Sequence, residues 1–278
     1  MKKAIVFLVA VMLVFSSIGV HALDTCNGYP IPVDIAINGN FIKCAQKPVM
    51  EQDRTYIPLR ALTEAIGGEI SWNPDTNAAT MTADNHSFVF FSGKDYCIID
   101  GAEKSFKAIE YKDLLFVPAR AVAETLGYDV EWDDLYLTVK INAPSVSLPD
   151  AAIDWNYSFE DIMYLSKITH IESGSLAFKT RIGVADTVLN RKKSPQFPNT
   201  IKDVIFDTKY STQFPPAHTE KFNNTPSKES VIAAKLALNG VNLVGNSLYF
   251  VDVDYQSGSW VHNNRKHRTT LGTMAFYE

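Results

Sequence analysis

Cysteine is scarce in this sequence of 278 residues. Cys26, Cys44 and Cys97 all lie in the first half, so no cysteine is available as a nucleophile for chemistry in the second half. In an exported chain, an odd number of cysteines is compatible with one disulfide and one free thiol, or with three free thiols. The sequence does not choose between these two states.

The sequence also lacks a strongly basic region. Residues 23–156 carry ten Lys and Arg against twenty Asp and Glu, a net charge of −10. Residues 157–278 carry fourteen against eleven, a net charge of +3. Since the first half is acidic and neither half has a basic patch with interleaved aromatic residues, no nucleic-acid partner is expected. The mildly basic second half could accept an anionic polymer.

A long apolar run occurs only at the N terminus. Residues 4–15 are apolar, follow Lys2 and Lys3, and precede the small-x-Ala sequence Val20-His21-Ala22. This pattern predicts a signal peptide over residues 1–22 and a secreted protein that begins near Leu23, with no membrane partner after cleavage. An uncleaved anchor helix is the alternative, but the run is shorter than the roughly 20 residues that cross a bilayer.

The first half contains an internal repeat with an offset of 60 residues. Ile57-Pro58-Leu59-Arg60 returns as Val117-Pro118-Ala119-Arg120, and the stretch that ends at Trp72 returns ending at Trp132. Each copy predicts a strand, a proline turn, a short helix, a glycine cap and a second strand. The dipeptides Asn38-Gly39 and Asp100-Gly101 predict a hairpin turn ahead of each copy.

This repeat resembles the stalk domain named after the N-terminal domain of copper amine oxidases, over about residues 33–141. No His cluster accompanies it, so neither a metal site nor a cofactor is predicted. Arg60 and Arg120 are expected to brace their own helices through nearby carboxylates, with anion binding as the alternative. The composition of residues 142–156 predicts a linker. We therefore expect an α+β protein of two domains, residues 23–141 and 157–278.

The second half begins with a predicted helix. Ser158-Phe159-Glu160-Asp161 has the pattern of a capping box. Leu165, Ile168 and Glu172 are then spaced to lie on one face, with Glu172 near the helix C terminus. Burial and the helix dipole should both raise the pKa of this carboxyl group, which suits a general acid. The alternative is a solvated glutamate at a helix end, before Gly174.

Further motifs in this half resemble the cell wall hydrolase family of spore cortex-lytic enzymes. They are Val188-Leu189-Asn190-Arg191, Phe197-Pro198-Asn199-Thr200-Ile201 and Leu248-Tyr249-Phe250. The resemblance implies a compact lysozyme-like α+β domain that acts as a peptidoglycan lytic transglycosylase in germination. It also implies that Glu172 is the catalytic acid and then the base, at the bond between N-acetylmuramic acid and N-acetylglucosamine.

The sequence departs from that family at three positions. Leu176 replaces a second glutamate, Pro215 replaces a serine and Met274 replaces a histidine. Amides, hydroxyls and rings suit N-acetyl sugars, so the candidate substrate contacts are Gln213, Phe214, Tyr249 and Trp260. For the three aromatic residues, the alternative is packing in the core.

Two other functions remain open from the sequence. A zinc amidase that cuts the stem peptide would need a His-rich ligand set, but the histidines of this half have no standard ligand spacing. A non-catalytic wall-binding module is made plausible by Leu176 and Met274. The expected partner in every case is peptidoglycan, at the cell wall or spore, and the sequence leaves the oligomeric state open.

Overall fold

The computed structural model describes residues 23–209 and 211–278, so the predicted signal peptide lies outside the described residues. No helix within these two ranges is long and apolar enough to cross a membrane. The helices are α1 (Leu59–Ala65), α2 (Ala119–Thr125), α3 (Phe159–Ser173), α4 (Phe178–Lys193), α5 (Ile201–Ile205), α6 (Lys228–Leu238) and α7 (Trp260–Asn264). Strands of the first copy and its flanks are β1 (Thr25–Cys26), β2 (Tyr29–Pro30), β3 (Asp34–Ile37), β4 (Asn40–Phe41), β5 (Val49–Glu51), β6 (Arg54–Pro58), β7 (Glu69–Asn73), β8 (Ala78–Ala83) and β9 (His86–Phe91). The remaining strands are β10 (Cys97–Ile99), β11 (Ala102–Lys104), β12 (Ile109–Tyr111), β13 (Leu114–Pro118), β14 (Asp129–Asp133), β15 (Thr138–Asn142), β16 (Tyr249–Asp252), β17 (His267–Leu271) and β18 (Met274–Tyr277).

The two sequence copies pair through their central strands. β6 and β13 are antiparallel neighbours in a sheet of order β12-β13-β6-β5, and Ile57 lies opposite Val117. These two residues are equivalent positions of the repeat, so the register is centred on a local two-fold axis. The two copies therefore meet in this sheet as the subunits of a symmetric dimer would.

Two further sheets flank this pair. One has the order β11-β10-β9-β8-β7, and the other has the order β14-β15-β3-β4 with β3 parallel to β15. Leu59 and Leu62 of α1 and Val122 of α2 are buried between the sheets, as the helical spacing predicted. Gly67 and Gly127 follow these helices with φ of +74° and +78°, a conformation that disfavours residues with a Cβ atom.

The predicted arginine braces are present in both copies. Arg60 lies 3.6 Å from Glu64, and Arg120 lies 3.2 Å from Glu124, each one helical turn apart. Arg120 also donates to the carbonyl of Val130. The three cysteines are free thiols in the structure, which selects one of the two states that the sequence allowed.

The segment 142–156, predicted as a linker, packs along the N-terminal half. Ala143 is fully buried, Val146 and Leu148 contact the same core, and Ile153 forms an isolated β-bridge with Ile42. These apolar side chains give the segment surface to bury, so it continues the N-terminal core.

The C-terminal half contains three packed helices and a small sheet. α3 and α4 both contact α6, and β16, β18 and β17 form an antiparallel sheet in that order. α3 begins with the predicted capping box, in which Ser158 and Asp161 bond each other's backbone N–H. Gly183 of α4 lies against β18, where a Cβ atom would come within 2.7 Å of the Phe276 ring. The α+β class and the two-part layout are confirmed.

A buried ion pair and an apolar contact join the two halves. Leu137, in the turn between β14 and β15, packs against Ile182 and Ile232. Lys235 of α6 is 1% exposed, and its Nζ lies 2.9 Å from Asp34 and donates to the carbonyls of residues 136 and 137. The equivalent turn of the first copy, residues 74–77, is polar and exposed. Only the second copy thus makes this contact, because its turn carries apolar residues.

Candidate active site

Glu172 is the penultimate residue of α3 and is half-buried. Leu165 and Ile168 on the same helical face are fully buried, which places the start of this stripe in the core and its end at the surface. Burial raises the pKa of Glu172 from 4.5 to about 7, and the positive charge of Arg191 opposes this rise. Near neutral pH, a large fraction of this carboxyl group is therefore protonated.

The chain turns sharply directly after Glu172. A Cβ atom on Gly174 would lie 2.4 Å from the carbonyl oxygen of His170, so only glycine fits without a shift. Ser173 is buried, and its hydroxyl donates to the carbonyl of Thr169. These contacts hold the end of α3, and with it the backbone that carries Glu172.

Arg191, near the end of α4, provides a buried cation beside Glu172. It is 5% exposed, and its Nε donates to the Leu248 carbonyl at 2.7 Å. Its guanidinium lies 4.9 Å from the ring centroids of Phe197 and Phe214 and 5.6 Å from that of Tyr249. Burial lowers the pKa of Arg191 to about 10, so the side chain stays charged at neutral pH. Its Nη1 is buried without a hydrogen-bond partner among the described residues.

The neighbouring Asn190 has a structural role. Its Nδ2 donates to the carbonyls of Gly245 and Ser247 at 2.8 and 3.0 Å. With the bond from Arg191 to Leu248, these contacts fix the loop that leads into β16. Tyr249, the first residue of that strand, is thereby placed next to Arg191.

Tyr249 and Trp260 form an aromatic wall. Their ring centroids are 6.3 Å apart and the rings meet edge to face. Trp260, the first residue of α7, is 58% exposed, which leaves the indole open to solvent. The guanidinium of Arg265 lies 4.7 Å from the Tyr249 centroid and 4.9 Å from that of Trp260. An exposed ring beside a half-buried ring offers a surface on which the apolar face of a sugar can stack.

The other two predicted contacts take different positions. Phe214 is 1% exposed and lies under Arg191, so it supports the site from the core and does not reach its surface. Gln213 is half-buried on the preceding loop, where its amide donates to the backbone and hydroxyl oxygens of Ser211. The structure brings Phe214, Tyr249 and Trp260 together around the two arginines. Direct substrate contact by Gln213, Tyr249 or Trp260 stays a prediction.

Two of the three replaced positions, Leu176 and Met274, belong to one apolar cluster. Met274 is 6% exposed and packs with Val244 and Phe276, and Leu176 lies against the same group. Both replacements are apolar side chains in the same apolar cluster, so they can pack together there.

A second carboxyl group of this half also has a raised pKa. Burial raises the pKa of Asp186 to about 7, while the backbone N–H of Leu243 partly opposes this rise. Asp186 is 2% exposed and accepts that N–H at 2.7 Å. Because it is sealed from solvent and holds a loop, it is not accessible to a substrate.

The histidines of this half have few polar neighbours. His170 contacts Ser227 and Ser230, and His218 lies against Phe206. His262 and His267 both pack on the Tyr277 ring, and His267 also bonds Thr270. Within the described ranges, no group of three or more His, Cys, Asp and Glu side chains could hold a metal ion.

Two residues of the site, Arg191 and Arg265, were not predicted as functional. Arg191 follows Val184 and Val188 at i+7 and i+3, so it lies on the apolar face of α4, an unusual place for a cation. A cation at that spacing indicates a buried arginine and could have marked Arg191 as a candidate site residue. Arg265 lies in a polar loop and carries no local signal, since its neighbours Tyr249 and Trp260 meet it only in the folded chain.

Comparison with known families covers most of both halves. Residues 36–141 match the model of the copper amine oxidase N-terminal domain, and residues 177–277 match the model of the Cell Wall Hydrolase family. Both resemblances predicted from the motifs are thereby confirmed. Glu172 precedes the second matched range, so its role rests on the geometry described above.

Characterised relatives match the chain in part. A spore cortex-lytic enzyme from Bacillus cereus is 30% identical over 105 residues, which are 38% of this chain and 39% of that protein. A spore cortex-lytic enzyme from Bacillus subtilis is 26% identical over 124 residues, which are 43% of this chain and 40% of that protein. The match thus spans about two fifths of these relatives' length.

Solved structures also match part of the chain. The catalytic domain of the germination-specific lytic transglycosylase SleB from Bacillus anthracis is 28% identical and has a TM-score of 0.41. The match covers 45% of this chain and 100% of that domain.

Proposed function

We propose that the C-terminal half is a peptidoglycan lytic transglycosylase, with Glu172 as the catalytic acid and then the base. The observation that carries this proposal is a half-buried carboxyl group with a pKa near 7, on a domain that matches the Cell Wall Hydrolase family. Such a group is protonated often enough at neutral pH to act as an acid and is also basic enough to take a proton back.

The first step is proton transfer to the glycosidic oxygen. Glu172 gives its proton to the oxygen that joins C1 of N-acetylmuramic acid to N-acetylglucosamine, and the bond between C1 and that oxygen breaks. The N-acetylglucosamine leaves with a free hydroxyl, C1 develops positive charge, and Glu172 becomes a carboxylate.

The second step closes a ring on the muramic acid. The Glu172 carboxylate takes the proton from the 6-hydroxyl, and the 6-oxygen bonds to C1 to give a 1,6-anhydro product. Glu172 ends the cycle protonated, no water is consumed, and one carboxyl group serves both steps. A mechanism with a single carboxyl group agrees with the burial of Asp186, which a substrate cannot reach.

Arg191 would lower the energy of the intermediate carboxylate. Its cation is the charge that opposes the raised pKa of Glu172. A carboxylate stranded in an apolar surrounding would be a poor product of the first step, and a carboxylate stabilised too well would be a poor acid. The balance of burial against this one cation leaves the pKa near 7.

The aromatic wall of Tyr249 and Trp260 would hold the glycan strand. Trp260 offers an exposed indole face, and Tyr249 links this surface to the Arg191 side of the site. Gln213 remains a candidate for a hydrogen bond to an N-acetyl group. Its amide would have to exchange its contacts with Ser211 for substrate.

For the whole chain we propose export and action at the cell wall or spore cortex. The apolar segment with its small-x-Ala site supports a mature protein from near Leu23. We keep residues 23–141 and 157–278 as the proposed domains, with residues 142–156 attached to the first. In this arrangement the N-terminal half supports and positions the domain that carries Glu172.

Mass spectrometry of a peptidoglycan digest tests the proposal. Purified protein should release muropeptides that end in 1,6-anhydro-N-acetylmuramic acid. Reducing N-acetylmuramic acid ends would indicate hydrolysis, and free stem peptides would indicate an amidase. Sedimentation with peptidoglycan without any released product would indicate a binding module; each of these three results contradicts the proposal.

A further inference from the structure

Arg265 is held in a fixed plane at the edge of the site. Its guanidinium lies within 5 Å of the centroids of both Tyr249 and Trp260, and one Nη donates to the Tyr249 hydroxyl at 3.1 Å. The side chain is half-buried, so the two rings restrict its motion while part of it faces solvent. Its Nε is buried with no hydrogen-bond partner among the described residues.

Among the described residues Arg265 has no acidic partner, in contrast to the cations that follow it. Lys266 and Arg268 lie 4.0 and 3.7 Å from the carboxylate of Glu278. For Arg265, no carboxylate within residues 23–209 and 211–278 lies at ion-pair distance, and its polar contact is a neutral phenol. An arginine that is positioned but unpaired retains donors for an external acceptor.

A second unpaired cation lies on the same tyrosine. The guanidinium of Arg191 is 5.6 Å from the Tyr249 centroid, and it too has no carboxylate at ion-pair distance in the described chain. The two guanidiniums create a positive potential along the wall that leads to Glu172. Residues 157–278 as a whole carry a net charge of +3, which adds to this field.

We propose that Arg265 binds a carboxylate of the peptide stem on the muramoyl residue that is cleaved. This inference rests on the proposed function and adds a substrate class to it: glycan strands that keep their anionic stems. The stem is attached through the lactyl group of the same sugar whose C1 faces Glu172. Arg265 lies on the wall that would hold this sugar, and its planar fork matches the two oxygens of a carboxylate.

The competing ligand for this surface is the sugar ring alone. A sugar needs the exposed indole of Trp260 but no cation, so it does not explain why a guanidinium is stacked on the wall without a partner. A carboxylate explains both the charge and its fixed plane, because ordering the guanidinium in advance lowers the entropic cost of binding.

Ligand binding to the full chain with Glu172→Gln tests the proposal. The probes are the disaccharide of N-acetylglucosamine and N-acetylmuramic acid with its peptide stem, and the same compound with every stem carboxylate converted to an amide. Isothermal titration should show the first probe binding roughly ten- to a hundredfold more tightly than the second, as for a charged hydrogen bond.

Two variants in that background locate the effect. Arg265→Gln should bind the acidic and amidated probes equally, and Arg265→Lys should recover part of the preference, because it keeps the charge and loses the fork. Arg268→Gln is the matched control, an exposed arginine in the next strand, and it should keep the full preference. Equal binding of both probes by the protein with an intact Arg265 would overturn the inference even if no variant folds.

The failure of this inference is distinguishable from failure of the proposed function. Release of anhydromuropeptides by the wild-type protein is measured separately and does not depend on a preference for acidic stems. If anhydromuropeptides are released but the acidic probe is not preferred, only the role of Arg265 is wrong. If the acidic probe is preferred but no anhydromuropeptides are released, only the catalytic role of Glu172 is wrong.

Discussion

Replacing Glu172 by Gln should remove activity and, at alkaline pH, increase stability. The amide keeps the size of the side chain but cannot deliver a proton, so release of anhydromuropeptides should fall by about a hundredfold or more. The stability effect follows from the raised pKa of Glu172, about 7 in the folded protein against an ordinary value of 4.5. That difference corresponds to roughly 3 kcal/mol, reduced to about 2 kcal/mol by partial exposure.

The sign of the stability effect depends on pH. Below pH 4.5 the carboxyl group is protonated in both states and costs nothing. Between pH 4.5 and about 7 the unfolded chain loses this proton while the folded chain still holds it, so stability is lost as the pH rises and the loss is complete above the folded pKa of about 7. Glu172→Gln does not ionise, so its gain in unfolding free energy should be near zero at pH 4 and close to 2 kcal/mol at pH 8.

Urea unfolding at the two pH values and mass spectrometry of peptidoglycan digests measure both effects. Asp186→Asn is the matched control, since it removes another buried carboxyl group with a pKa near 7 but should leave cleavage intact. A Glu172→Gln protein that cleaves at the wild-type rate would refute the catalytic assignment. A stability gain that is the same at pH 4 and pH 8 would refute the electrostatic reasoning.

Four further outcomes are expected. The cleavage rate of the wild-type protein should fall as pH rises through about 7, which a pH profile of kcat/KM on soluble glycan fragments would report. Trp260→Ala should weaken glycan binding roughly tenfold in titration, whereas Trp72→Ala, which removes an exposed indole of the N-terminal half, should not. Asp34→Ala should lower the unfolding free energy by about 3–5 kcal/mol because it strands the buried Lys235, and adding Lys235→Met should restore much of this loss. Activity should survive dialysis against EDTA, since the proposed steps need only a carboxyl group; a loss that zinc restores would favour an amidase.

The contact between the halves changes one expectation from the sequence. The linker predicted at residues 142–156 favours two cores that fold separately, in which case residues 157–278 would fold and bind peptidoglycan alone. In the structure, Lys235 is buried against Asp34, and Leu137 packs into the helices of the C-terminal half. We now expect the isolated C-terminal half to unfold at a lower urea concentration than the full chain.

Local patterns in the sequence determined much of this protein. The 60-residue repeat predicted two equivalent helices with glycine caps, and Ser158 and Asp161 predicted the start of α3. The spacing of Leu165, Ile168 and Glu172 placed the carboxyl group at the end of a buried stripe. These predictions succeed because helix periodicity, capping and turn geometry depend on residues only a few positions apart.

Tertiary structure alone decided what surrounds that carboxyl group. Arg191, Tyr249 and Arg265 come from a helix, a strand and a loop, and they meet because Asn190 and Arg191 bind the loop before β16. Phe214 is buried in the core, where the guanidinium of Arg191 covers its ring. Which repeat copy contacts the C-terminal half was likewise settled by packing. Charge, burial and stacking at these places depend on residues far apart in the chain, and only the folded chain brings them together.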